Sequence, residues 1–173
     1  MFLAHGMLVA TYVAQIPAIK SSLNLSDAEL GRILLGLPLG ITLMNPNVGY
    51  MMNRFGAVRC TLIGFVFYAL AMTGLFLMPS TWMLFFNLLV AGLFTGVLIV
   101  TVNTMATRIE QNDEVHVLSS CHGMFSLGAM LGAGLSSLTI ARDISPVYQM
   151  ALIGIVIISV SYTHLTLPTI CSV

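Results

Sequence analysis

Gly49-Tyr50-Met51-Met52-Asn53-Arg54-Phe55-Gly56-Ala57-Val58-Arg59 is a short polar stretch set between two apolar ones. A mostly apolar run reaches back from it to Glu29, and a second reaches forward to Met78. Each is long enough to cross a hydrocarbon core of about 30 Å as a helix. Two spans this close in sequence leave room only for a tight hairpin at the membrane surface, with Gly56 free to take a left-handed turn. Arg54 and Arg59 sit where cationic side chains reach lipid phosphates or the last carbonyls of the helix just ended. The stretch therefore predicts an all-α integral membrane protein.

Composition points the same way. Of 173 residues, 58% are hydrophobic and 7% charged, against roughly a quarter charged in soluble domains. Six basic and six acidic residues cancel, which excludes the basic footprint of a nucleic-acid partner. Cys60 and Cys121 fall inside apolar spans without metal-ligand spacing, so neither a disulfide framework nor a metal centre is expected. The first expected partner is the lipid bilayer, and no cofactor is implied.

Working outward, the expected spans are 1–16, 29–52, 58–78, 82–107, 117–140 and 147–158. Pro17 closes the first after about 24 Å at 1.5 Å per residue, short of a full crossing. Met1-Phe2-Leu3 lacks the basic start of a signal peptide, so this reads as a span truncated at its beginning. His5, Leu8, Tyr12 and Gln15 fall within about 80° on a helical wheel. Such a polar arc faces protein or a cavity, the alternative being a seam of interhelical hydrogen bonds. Residues 17–25 are expected as an outside loop. Ser26-Asp27-Ala28-Glu29 then forms a capping box for the second span. Pro38, Pro46 and several glycines bend that span, and Arg32, one turn in, can snorkel to the surface.

The third span is uniformly apolar scaffold. Pro79-Ser80-Thr81 is a minimal turn, after which Trp82 sits where interfacial aromatics belong. On the fourth span Gly92, Gly96 and Asn103 lie within about 40° of one another. That is a close-packing face, with one amide pointing into a helix contact or a cavity. Residues 108–116, the only strongly hydrophilic run, read as a water-exposed loop. On the fifth span Gly128 and Gly132 make another close-packing face, while His122, Ser126, Ala129 and Ala133 share a different one. Residues 147–158 reach only about 18 Å, so the sixth span also reads as truncated. From Val160 the sequence VSYTHLTLPT reads as a translated transposase-type sequencing adaptor, with 170–173 continuing it. Residues 159–173 are accordingly set apart as an artefactual tail, and His164 and Cys171 receive no functional reading.

Gly49, Arg54, Gly56 and Arg59 between the second and third spans resemble the signature loop of the major facilitator superfamily (MFS) of transporters. Asn53 stands where that family has Asp, so the charge pairing of that Asp is not implied. The His122-Gly123-x-x-Ser126-Leu127-Gly128 run is similar to bacterial members without an assigned substrate. The fifth span lacks the Gly-Pro pair of the family's antiporter motif, so proton antiport is not implied. The resemblance covers residues 1–158 and implies the amino-terminal six-helix half bundle of a multi-pass transporter in a bacterial inner membrane. It further implies a small-molecule substrate, a carboxyl-terminal half as partner, and rocking of one half against the other around a mid-membrane site. His5, Tyr12, Gln15, Asn103 and His122 are the polar groups expected to line that site, His122 being preferred for proton coupling. Gly49, Asn53, Arg54, Gly56 and Arg59 form the conformational loop. With that loop inside, Arg54, Arg59 and Arg108 are cytoplasmic while Lys20, Arg32 and Arg142 are outside. The positive-inside rule ties, and the resemblance alone sets the orientation. A non-transporting membrane scaffold is the competing class. A membrane enzyme is not supported, because the spans carry no paired carboxylates, metal cluster or nucleophile constellation.

Overall fold

A computed structural model describes the backbone of residues 1–166 and the side chains of residues 1–159. Of the expected adaptor-like tail, the side chains from residue 160 onward, and residues 167–173 entirely, lie outside the described residues. Among the described residues every regular element is helical. They are α1 (Phe2–Ala14), α2 (Ile16–Ser22), α3 (Asp27–Leu34), α4 (Gly36–Phe55), α5 (Ala57–Gly74), a 3-10 turn (Leu75–Leu77), α6 (Thr81–Asp113), α7 (Leu118–Ile140) and α8 (Pro146–Thr166).

Proline sets the first joint. Pro17 has no N–H, and inside one continuous helix its ring would strike the carbonyl of Val13. The chain breaks at Gln15 (φ −95°, ψ 0°) instead, which places Pro17 in the first turn of α2 where no donor is needed. The first span therefore does not stop at residue 16. Its helical path, Phe2–Ser22, has 21 residues, or about 31 Å, enough to cross. The expected loop from Pro17 shrinks to residues 23–26, bridged by the Lys20–Asp27 ion pair. The capping box forms as expected: Glu29 N–H donates to Ser26 Oγ at 3.3 Å and Ser26 N–H to Glu29 Oε2 at 2.9 Å. A second joint at Leu35 separates α3 from α4.

Phe2–Ser22, Ala57–Leu77, Thr81–Asp113 and Leu118–Ile140 are each long and apolar enough to cross a membrane. Asn45, Pro46 and Asn47 in the middle of α4 keep it out of that set. The 33 residues of α6 rise about 50 Å, well beyond a hydrocarbon core. Residues 108–113 are thus helix and not the loop their charge suggests, and the helix ends at Glu114 in the left-handed region (φ 53°). Likewise α8 runs past Ile158 to Thr166.

Absent Cβ atoms decide how the spans pair. A Cβ on Gly36 would stand 2.6 Å from the carbonyl oxygen of Phe85, and one on Gly40 or Gly92 would overlap the carbonyl of Leu89 or Leu37. The Gly36/Gly40 and Gly92/Gly96 pairs thus let α4 and α6 lie backbone to backbone, in parallel. The same holds for α1 and α7, where Gly6 meets Phe125, Gly128 meets Leu3 and Gly132 meets Met7. Helix α5 packs against α6 and α8 and closes the core. Leu8, Tyr12, Phe65, Tyr68, Met72, Leu98 and Met150 are buried there.

Candidate functional site

The signature stretch is tighter than a hairpin loop. Helix α4 continues to Phe55 and α5 begins at Ala57, so Gly56 alone turns the chain, at φ 83° and ψ 148°. The second span, expected to end at residue 52, continues to Phe55, so the whole of 49–55 in the signature stretch forms the last turns of α4. Arg54 Nη1 donates to the Tyr50 hydroxyl at 3.1 Å, and its guanidinium lies 5.7 Å from the centre of the Phe55 ring. It is therefore held on its own helix by a neighbour one turn back and by a cation–π contact, and not by the helix-end carbonyls. Asn53 and Arg59 are exposed and make no hydrogen bond among the described residues, and Gly49 faces open space.

The five expected cavity residues are placed differently from one another. His5 is buried, its ring edge-on to Tyr68 at 5.8 Å and to Phe125 at 5.5 Å, and its Nε2 has no hydrogen-bond partner. Tyr12 is buried in the core between α1 and α5. Gln15 Nε2 donates to Gln149 Oε1 at 2.9 Å. Gln149 Nε2 in turn donates to Ser136 Oγ at 2.8 Å, and Thr139 Oγ1 donates to Gln149 Oε1 at 2.7 Å. Asn103 Nδ2 donates to the carbonyl of Ile99 in its own helix at 2.7 Å, so its amide reaches back along α6 and joins no second helix. His122 is exposed, one turn into α7, with its ring 5.4 Å from that of Phe2. No hydrogen bond or ring contact joins any two of the five. The arc of α1 is real as a buried face, but it is spent on α5, α7 and α8.

Sequence reasoning missed the partners. Gln149, Ser136 and Thr139 complete a buried polar network at the α1/α2 joint, and the signal was a lone Gln near the start of an apolar run. Glu110 was also missed. Its Oε2 accepts from the N–H groups of Leu118 at 2.8 Å and Val117 at 2.9 Å, closing the α6–α7 turn and capping α7. The Leu118 N–H, with lesser help from Val117 and His116, holds this carboxyl below the usual carboxylate range. No group of metal-ligating side chains is assembled among the described residues.

Residues 1–169 match the Major Facilitator Superfamily. The chain belongs to that family. Among its relatives, the uncharacterized transporter y4wD of Sinorhizobium fredii is 33% identical over 76% of this chain and 35% of its own length. An uncharacterized MFS-type transporter of Yersinia pestis is 29% identical over 84% of this chain and 38% of its own. The membrane protein MosC of Rhizobium meliloti is 27% identical over 76% and 32%. The chain thus spans about a third of the length of these relatives. No solved structure matches it. This MFS protein is an all-α, multi-pass membrane protein of a transporter family.

Proposed function

We propose that this chain is the amino-terminal half of a secondary transporter that moves a small solute across a bacterial inner membrane by alternating access. The observation that carries the reading is the one-residue turn at Gly56, with Arg54 beside it, between two helices of an MFS chain. A joint that short makes α4 and α5 answer together to any force on their shared end, as a rocking half needs. Ser126 donates its hydroxyl to the His122 carbonyl at 3.3 Å, but the side chains of His122, exposed on α7, and of Asn45, exposed on α4, would stand unsatisfied in lipid. In this reading they face the aqueous path between this half and a carboxyl-terminal half. Gln15, anchored by Gln149, and buried His5 and Tyr12 support the wall from behind. No enzymatic step is assigned.

The test uses the full-length parent protein in proteoliposomes, screened with labelled small solutes. Transport predicts accumulation of at least one solute class and a slower rate in Arg54→Ala at normal membrane insertion. A scaffold predicts no accumulation of any solute, with the protein recovered in a stable complex with other membrane subunits.

A further inference from the structure

A cleft of about 330 Å³ opens between α3 and the first turn of α6, at the end of the bundle that carries the Lys20–Asp27 pair. Glu29, Arg32, Ile33, Thr81, Trp82 and Phe85 line it. Arg32 is exposed and donates Nε–H to the Ala28 carbonyl at 3.3 Å, and no carboxylate pairs with it among the described residues. Its two terminal nitrogens are left as donors for an anion. Glu29 binds Ser26 through Oε2, which leaves Oε1 without a hydrogen bond. Trp82 is 73% exposed beside them. Trp82 lies in the first turn of α6, a helix long and apolar enough to cross a membrane, where headgroups give way to hydrocarbon, and Arg32 on the short helix α3 lines the same cleft beside it.

We propose that this cleft binds the headgroup of a phospholipid bearing a primary ammonium, phosphatidylethanolamine, from the leaflet at that end of the bundle. The guanidinium of Arg32 takes the phosphate, a geometry it suits better than a lysine would. The free oxygen of Glu29 takes the ammonium. Trp82 lies against the glycerol region, and Ile33 and Phe85 meet the first methylenes. The apolar wall is what a lipid uses and a free phosphate cannot. The carboxylate sets the headgroup: it repels a net-anionic lipid and finds no N–H donor on a quaternary ammonium.

The experiment titrates delipidated chain in detergent with phosphatidylethanolamine, phosphatidylglycerol or phosphatidylcholine and counts bound lipid by native mass spectrometry. Helicity is checked by circular dichroism. The expected result is retention of phosphatidylethanolamine about threefold above the other two, the scale of an exposed ion pair. Glu29→Gln keeps the capping box, since Gln also serves at that position, and is expected to abolish the preference. Arg32→Gln is expected to lower retention of all three lipids, with Arg32→Lys falling between. Equal retention by the unmodified chain, a preference for phosphatidylglycerol, displacement by inorganic phosphate, or an unchanged preference in Glu29→Gln would each overturn the proposal.

Discussion

Gly56 carries its constraint in the backbone and not in the space around it. A Cβ there would meet nothing within 4 Å, yet φ 83° with ψ 148° lies in a region essentially reserved for glycine. Gly56→Ala is therefore expected to cost about 1–3 kcal/mol of stability, and Gly56→Leu about the same, because side-chain size is irrelevant. Thermal denaturation of both variants in detergent checks this; a neutral Ala would show that the turn relaxes freely. A turn glycine was readable from two apolar runs separated by so little sequence. Its ψ was not, because that angle depends on how α5 packs on α6 and α8. Gln149 lies further from what sequence can give, since its partner Gln15 is 134 positions away. Gln149→Leu strands the Gln15 amide and the Ser136 hydroxyl in a buried site, with an expected loss of about 1–3 kcal/mol per unpaired group. Gln15→Leu combined with Gln149→Leu should cost less than the sum of the two single changes. Strict additivity in a double-mutant denaturation series would mean that the network contributes nothing as a unit.

Helix ends and helix seams differed in how far the sequence revealed them. The spacing of Gly92 and Gly96, and of Gly128 and Gly132, marked both close-packing faces, since four residues return a helix to nearly the same azimuth. Which helix each face meets was hidden, because a glycine stripe carries no code for its partner. The α6–α7 connection was misread for a physical reason. Charge predicts exposure to water, and an exposed helix extending past the membrane satisfies that as well as a loop does. Glu110 decides the matter by reaching across the turn to the first amides of α7. Those hydrogen bonds go to the ionised carboxylate, so the folded protein holds Glu110 below its ordinary value of 4.5. Such a group stabilises the fold at pH values above 4.5, and the contribution disappears as the pH falls through the lowered folded value. Protection of the Val117 and Leu118 amides, measured relative to their intrinsic exchange rates, should therefore be high above that pH and fall below it. In Glu110→Gln the start of α7 should be less protected at neutral pH, and that protection should no longer change with pH. An unchanged exchange profile in that variant would remove Glu110 from the cap.

The molecule as described divides into two parallel helix pairs, α1 with α7 and α4 with α6, and α5 ties them together through α6 and α8. Hydropathy alone suggested six spans; among the described residues four helical paths are long and apolar enough to cross, and the first of them, Phe2–Ser22, continues where Pro17 suggested a stop. Orientation was not readable, because the basic residues tie. Labelling single cysteines with an impermeant reagent tests it: Ser22→Cys should react from outside and Asn112→Cys only after permeabilisation. Rapid reaction at Asn112→Cys in intact cells would invert the assignment. A stronger consequence concerns the faces left uncovered. Leu43, Met124, Met130, Leu131 and Leu138 are exposed, as is the polar pair His122 and Ser126 on α7. Lipid can cover the apolar members, and the Ser126 hydroxyl is taken up by the His122 carbonyl, but lipid cannot hydrogen-bond the His122 imidazole, and an unpaired group there costs several kcal/mol. In the proposed transporter, a second helical body with water between the two would meet both demands at once. Residues 1–173 alone, reconstituted in proteoliposomes, are therefore expected to insert yet give no solute uptake above empty vesicles. Co-expression with the remainder of the full-length parent should restore uptake and slow labelling of His122→Cys. Uptake by residues 1–173 alone would show that the path lies within this bundle, and would move the search for it to the buried face of α1.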